Sequence, residues 1–108
     1  MNYRVEPKFI FTDSRAVPWQ DSKLAKGVQV KNLGKANGRA LQLVRFEPGA
    51  VFPRHEHHGP EFIFLLEGDA IQNGHRLTPG WVAVAEQGTI DDSFRSESGC
   101  LFLFHYSI

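Results

Sequence analysis

The chain reads GAVFPRHEHHGPEFIFLLEG over residues 49–68, and this stretch holds three of its five histidines. His55 and His57 are two residues apart, so in an extended segment both imidazoles project from the same face. A Gly-Pro pair that can reverse the chain follows, and Glu61 then opens the apolar run Phe62–Leu66. If the two segments pair antiparallel, Glu61 returns beside the two histidines.

Two imidazoles and one carboxylate that converge on one point form the facial triad of a transition-metal site. Such a triad holds a divalent ion and leaves positions open for a substrate or oxygen. Imidazole and carboxylate suit Fe, Zn, Ni, Mn or Co, and the ligand types alone do not choose among these metals. The alternative interpretation is a polar loop with surface histidines.

Short strands separated by turns extend on both sides of this stretch. Gly-Pro, Pro-Gly and Asn-Gly pairs bound runs that are rich in β-branched and aromatic residues. These runs predict strands over Val28–Val30, Leu41–Phe46, Phe62–Leu66, Trp81–Ala85 and Leu101–Tyr106. Asn73-Gly74 is typical of a two-residue hairpin turn, in which both central residues have positive φ. The pattern predicts an all-β sandwich or barrel with little helix.

Two predicted strands, Phe62–Leu66 and Trp81–Ala85, are apolar at every position. A strand of this kind is covered on both faces. One face fills the barrel, and the other requires the N-terminal segment or a partner subunit. We therefore expect residues 1–26 to form an arm packed on the barrel or on a partner, with Trp19 as its anchor, and we expect a homodimer.

The chain has 108 residues, with 12 Lys and Arg against 12 Asp and Glu. This length predicts that residues 1–108 form a single domain. A balanced charge leaves no basic surface for nucleic acid or for an anionic membrane. The single Cys100 cannot form an internal disulfide, and the N-terminus shows no signal peptide or membrane span. These features predict a cytoplasmic protein without a nucleic-acid or membrane partner.

The spacing Gly-(five)-His-x-His-(three)-Glu-(six)-Gly within residues 49–68 matches the first motif of the cupin superfamily at every specified position. The chain therefore resembles a cupin, which implies an antiparallel double-sheet β-barrel of the jelly-roll type. More narrowly, it resembles the ChrR-like cupins, whose best-known members are domains of zinc-binding anti-sigma factors. This narrower resemblance rests on Pro18-Trp19, Gly27-Val28, residues 43–46, residues 48–68 and Gly99-Cys100.

The resemblance implies metal ligation by His55, His57 and Glu61. The second cupin motif supplies a further histidine, but this chain has Asp91 at the matching position. Asp91 either coordinates the metal or is a solvated turn residue beside Asp92. His105 in the last strand is a second candidate for the missing ligand.

The other titratable side chains have simpler interpretations. His58 has the opposite parity to its neighbours and His75 follows a turn, so both are expected at the surface. Cys100 begins an apolar strand and is expected to be a small buried hydrophobe rather than a nucleophile.

A metal at the mouth of a phenylalanine-lined barrel favours a small, largely apolar ligand. We expect Phe52, Phe64 and Phe102 to line this pocket, with Glu61 as a ligand or a general base. The resemblance implies a metal-dependent enzyme of the dioxygenase, isomerase or lyase type. The alternatives are a non-catalytic, metal-dependent sensing module of the ChrR type and a metal-free ligand-binding barrel.

Overall fold

The computed structural model describes residues 6–108, in which the regular structure is almost entirely β-strand. One 3₁₀ turn, Ser14–Ala16, precedes the first strand. None of the described residues belongs to a helix long and apolar enough to cross a membrane. The strands are β1 (Gln20–Asp21), β2 (Val28–Ala36), β3 (Arg39–Phe46), β4 (Val51–Phe52), β5 (His55–Glu56), β6 (Glu61–Gly68), β7 (Ala70–Gln72), β8 (His75–Leu77), β9 (Val82–Ala85), β10 (Ile90–Asp91), β11 (Phe94–Arg95) and β12 (Cys100–Ser107).

The strands form three antiparallel sheets that surround one interior. The largest sheet has the order β1-β2-β3-β12-β6-β9, the second has the order β4-β11-β7-β8, and β10 pairs with β5 alone. The fold is therefore the all-β antiparallel architecture that the sequence predicts, with two larger sheets and the short pair of β10 and β5 as a third.

Alternation along the strands of the large sheet decides which residues enter the interior. Leu65 in β6 is fully buried, whereas its neighbour Phe64 is 44% exposed. Phe102 in β12 lies opposite Leu65 on one side and opposite Val44 in β3 on the other. Successive side chains in a strand point to opposite faces, so these residues form an inward row. The buried core cluster comprises Val28, Val44, Phe46, Ala50, Ile63, Leu65, Ala70, Leu77, Phe94, Cys100 and Phe102.

The five predicted strands are all present, as β2, β3, β6, β9 and β12, and most are longer than predicted. The predicted hairpin turn at Asn73-Gly74 is confirmed, with φ values of 48° and 80° between β7 and β8. Asn37-Gly38 forms a second turn of the same kind between β2 and β3, with φ values of 50° and 76°. The strands that sequence patterning missed are two or three residues long, which is too short for an alternation pattern.

The segment before β2 contacts the outer face of the large sheet. The Trp19 ring lies beneath two cations, with Arg45 Cζ 4.2 Å and Lys31 Nζ 4.9 Å from its centroid. The Lys31 ammonium also donates a hydrogen bond to the Ser14 carbonyl at 2.9 Å. Further towards the N-terminus, Phe9 and Phe11 are 86% and 89% exposed. The first five residues of the predicted arm lie outside the described residues.

The outer face of β6 and β9 carries an apolar surface that residues 6–108 leave open. Phe62, Phe64, Val82 and Val84 are between 40% and 56% exposed. The strands thus alternate between buried and exposed positions, although their sequences are apolar throughout. We call these four residues the outer apolar face.

Candidate metal centre

The strand that carries His55 pairs with the strand that carries Asp91. In the antiparallel pair of β5 and β10, His55 lies directly opposite Asp91. The pairing continues past β5, because the His57 amide donates to the Thr89 carbonyl at 2.9 Å and the His57 carbonyl accepts from Gly88 at 2.8 Å. Residues directly opposite on antiparallel strands place their side chains on the same face. This pairing therefore brings the Asp91 carboxylate to the histidines.

The ligand atoms of His55, His57 and Asp91 all lie within 4.8 Å of one another. Glu61 adjoins this cluster, with its Oε1 atom 3.5 Å from His57 Nε2. It arrives by a different route from the predicted one, because β6 pairs with β9 and β12 rather than with the histidine segment. The predicted antiparallel pairing was therefore wrong, although Glu61 does lie beside a histidine.

In the neutral imidazoles of His55 and His57, Nδ1 donates a hydrogen bond, and this fixes the tautomer of each ring. His55 Nδ1 lies 2.9 Å from the Pro53 carbonyl, which can only accept, so Nδ1 carries the proton. His57 Nδ1 lies 2.9 Å from the Thr89 hydroxyl, which donates its own hydrogen to the Glu86 carbonyl at 2.7 Å. The hydroxyl therefore accepts from His57. Both Nε2 lone pairs remain free, which is the arrangement that metal-binding histidines adopt.

The Asp91 carboxylate is 4% exposed, so it is a buried group rather than a solvated turn residue. Its Oδ2 accepts a hydrogen bond from Gln72 Nε2 at 3.2 Å. Its Oδ1 has no hydrogen-bond partner within the described residues. The adjacent Asp92 is exposed and forms an ion pair with Arg54 at 2.8 Å. Of the two neighbouring aspartates, only Asp91 faces the cluster.

The backbone around Asp91 is held by the side chain of Asn73. Its Nδ2 donates to the Ile90 carbonyl at 3.0 Å, and its Oδ1 accepts from the Asp92 amide at 2.9 Å. The Asn73 side chain therefore bridges the residues on either side of Asp91. Asn73, which the sequence identifies as a turn residue, thus also positions Asp91.

The free polar atoms of these four side chains are all acceptors. They include the two Nε2 atoms, the unpaired Oδ1 of Asp91 and the Oε1 of Glu61, which lies 3.5 Å from His57 Nε2. Buried acceptors without a donor are unfavourable, and a cation between them removes the penalty. Two neutral imidazoles and two carboxylates fit a divalent transition metal.

Electrostatics within the cluster act most strongly on Glu61. Partial burial raises the pKa of Glu61, the nearby His57 and His55 oppose this increase, and the Asp91 carboxylate adds to it. Both burial and the second carboxylate therefore disfavour a negative charge on Glu61. A bound cation would stabilise both carboxylates in their charged form.

The remaining histidines lie away from the cluster. His105 lies on the outer side of β12, with its ring 5.7 Å from that of Phe62, so the prediction that it could replace the missing ligand was wrong. Neighbours of His105 in the strand, such as Tyr106, point inward instead, because alternate residues face opposite sides. His58 and His75 are exposed, as predicted.

Cys100 is buried, as predicted. Burial raises the pKa of the Cys100 thiol to about 11, which keeps it protonated and poorly nucleophilic at neutral pH.

The cluster opens into a cavity of about 560 Å³. Phe52 and Phe102 line it, as predicted, together with Phe94 and Phe104. Phe64 belongs to the outer apolar face instead, so its predicted place in the pocket was wrong. Residues 20–24 also line the cavity.

The alternation of side chains along β6 could have predicted from the sequence that Phe64 points outward. Glu61 faces the cavity, so Ile63 and Leu65 follow it inward and Phe64 points away. No comparable local signal exists for Thr89 and Gln72, since their roles depend on contacts with residues 32 and 19 positions away along the chain.

Thr89 provides a direct test of the tautomer argument. We expect Thr89→Val, which keeps the shape but removes the hydroxyl, to lower the affinity for Zn²⁺ by about 10- to 100-fold. Thr89→Ser keeps the hydroxyl and should stay within about threefold of the wild type. The measurement is competition with a chromogenic chelator at neutral pH. Equal affinities for the Val and Ser variants would contradict a positioning role for the hydroxyl.

Comparison with solved structures supports the architecture. An acetylacetone dioxygenase from Acinetobacter johnsonii superimposes with a TM-score of 0.80 at 12% identity, over 99% of this chain and 78% of that one. KdgF from a Halomonas species gives 0.78 at 26% identity, over 93% and 94%. The anti-sigma factor ChrR of Rhodobacter sphaeroides, solved in complex with SigE, gives 0.75 at 23% identity, over 86% of this chain and 50% of ChrR.

The sequence was also compared with curated proteins and with family profiles. Among curated proteins, none matches the chain. The profile of the ChrR cupin-like domain matches residues 7–107, nearly the whole chain. Together with the double-sheet barrel, this match confirms the resemblance inferred from the motif in residues 49–68. The chain belongs to the ChrR cupin-like domain family.

Proposed function

We propose that the protein binds one divalent transition metal through His55, His57, Glu61 and Asp91 and acts as a metal-dependent enzyme on a small organic molecule in the cavity. The observation that carries the proposal is the convergence of His55, His57 and Asp91, whose ligand atoms lie within 4.8 Å of one another, with Glu61 Oε1 3.5 Å from His57 Nε2. The Oδ1 of the buried Asp91 has no hydrogen-bond partner within the described residues. Fe, Zn, Ni, Mn and Co all bind imidazole and carboxylate ligands, and the ligand types alone do not choose among them.

The cavity supports a role in chemistry on small organic molecules. Its volume of about 560 Å³ lies within the usual range for small-molecule sites. A bound metal would supply Lewis acidity or activate oxygen, as in dioxygenase-, isomerase- and lyase-type reactions. Glu61 lines the cavity beside His57 and is the residue that we propose to be catalytic: when it is released from the metal, its carboxylate can accept a proton from a bound molecule. Similarity to a dioxygenase structure favours this class.

Elemental analysis of protein purified without a histidine tag tests the proposal. We expect about one equivalent of transition metal per chain, since the site has one cluster of ligand atoms. Zn²⁺ or Fe²⁺ added to apo-protein should restore the same stoichiometry. A wild-type protein that takes up no metal after supplementation would contradict the proposal and favour a metal-free ligand-binding barrel.

The second candidate is a metal-dependent sensing module without turnover. The match to the ChrR cupin-like profile favours it, because one structural neighbour is an anti-sigma factor bound to its sigma factor. A sensor should bind metal and change its association with a partner when the metal or an oxidant is supplied. An enzyme should instead turn over a substrate that fills the cavity.

We also propose that the protein is a cytoplasmic homodimer. The free, buried Cys100 is compatible with a reducing compartment. The outer apolar face is a contiguous exposed surface, which in soluble proteins marks an interaction site. Light scattering at tens of micromolar should give twice the mass of the 12.2 kDa chain. A monomer at that concentration would contradict the dimer.

A further inference from the structure

The charges of the site leave no excess positive charge for an anionic ligand. His55 and His57 are neutral when they coordinate a metal, whereas Glu61 and Asp91 each carry one negative charge. A divalent cation held by all four side chains is therefore matched by the two carboxylates. With a histidine in place of Asp91, the same site would keep one net positive charge.

The walls of the cavity do not supply a positive charge for an anionic ligand either. Among the described residues that line it, Lys23 is the single Lys or Arg, and its side chain is exposed. Arg45 and Lys31 lie on the opposite side of the large sheet, over the Trp19 ring. An anion that enters the aromatic interior would lose its hydration without gaining a charged partner from the walls, and the cation at the cluster is already matched by two carboxylates.

We propose that the cavity selects uncharged organic molecules and rejects their carboxylate analogues, and that Asp91 is the residue that sets this selectivity. The inference rests on the proposed function and names its substrate class: a neutral molecule with an apolar body and an oxygen or nitrogen donor at one end. The apolar body packs against Phe52, Phe94, Phe102 and Phe104. The donor end lies at the cluster, where a neutral group adds no charge.

A matched pair of probes tests the selectivity. Benzamide and benzoate have the same ring and nearly the same size, and they differ in charge. We expect benzamide to bind Co²⁺-loaded protein at least about tenfold more tightly than benzoate, as followed by the visible absorption of Co²⁺. Benzoate affinity equal to or higher than that of benzamide would overturn the proposal, and so would the failure of both probes to bind.

Two substitutions at position 91 test the role assigned to the aspartate. Asp91→His, and the isosteric Asp91→Asn, each remove one negative charge and should tighten benzoate binding by at least about tenfold relative to the wild type. Asp92→His is the matched control: it changes the net charge of the protein equally, but the residue is exposed and paired with Arg54. Unchanged benzoate affinity in both position-91 variants with metal retained, or an equal gain in the control, would overturn the assignment.

A repeat of the titration on metal-free protein, followed by saturation-transfer NMR, distinguishes a failure of the charge selectivity from a failure of the proposed metal site. Without a cation, nothing in the cavity walls offsets the Asp91 carboxylate, so the metal-free cavity should also exclude benzoate. Exclusion of benzoate by a protein that takes up no metal would contradict the proposed function and support the charge selectivity. Entry of benzoate into the metal-free cavity would overturn the selectivity.

Discussion

His57→Ala is expected to lower the affinity for Zn²⁺ by more than about 100-fold, because losing a ligand costs more than the 10- to 100-fold loss caused by removing an outer partner. The His57 ring is 3% exposed, is held by Thr89 through Nδ1 and points its Nε2 towards Glu61. The shorter alanine side chain cannot reach the metal, so this ligand position is lost. The measurement is chelator competition with apo-protein, accompanied by circular dichroism to confirm folding.

The adjacent histidine provides the control for this variant. His58 is exposed and lies on the opposite side of the extended segment. His58→Ala should therefore keep wild-type affinity, although it removes the same side chain one residue away. Equal losses in the His57 and His58 variants would show that the effect is general damage to the segment and would contradict the metal centre.

Gly68→Ala is expected to produce the largest loss of stability, with the free energy of unfolding lowered by more than about 4 kcal/mol. Gly68 has a φ of 79°, and a Cβ atom there would meet the Gly99 carbonyl oxygen and approach the Cys100 Cα to 2.8 Å. Both neighbours are backbone atoms, and Cys100 pairs directly with Gly68 between β6 and β12, so they cannot rotate away as a side chain would. Urea denaturation of the wild type and the variant measures the difference.

Gly38→Ala separates the backbone cost at Gly68 from the steric cost. Gly38 has a φ of 76°, but nothing lies within 4 Å of the position that its Cβ would occupy. This variant should lose only about 1 kcal/mol, the cost of a left-handed conformation for a residue with a Cβ. If both variants lost the same amount, the close approach of the strands at Gly68 would not be the cause.

Local rules explain what the amino-acid sequence by itself determined. The shared face of His55 and His57 follows from their two-residue spacing, and the turn at Asn73-Gly74 follows from the backbone preferences of those residues. The five longer strands follow from runs of β-branched and aromatic residues. Each of these features depends on neighbours along the chain, and each is present in the structure.

Only the tertiary structure decided the rest of the site, because it depends on which strands pair. The role of Asp91 required the antiparallel pairing of β5 with β10, which joins residues more than thirty positions apart. The same pairing places the Thr89 hydroxyl on His57 and so frees its Nε2. The faces of β6 did not require this pairing, because alternation from Glu61 places Ile63 and Leu65 inward and Phe64 outward.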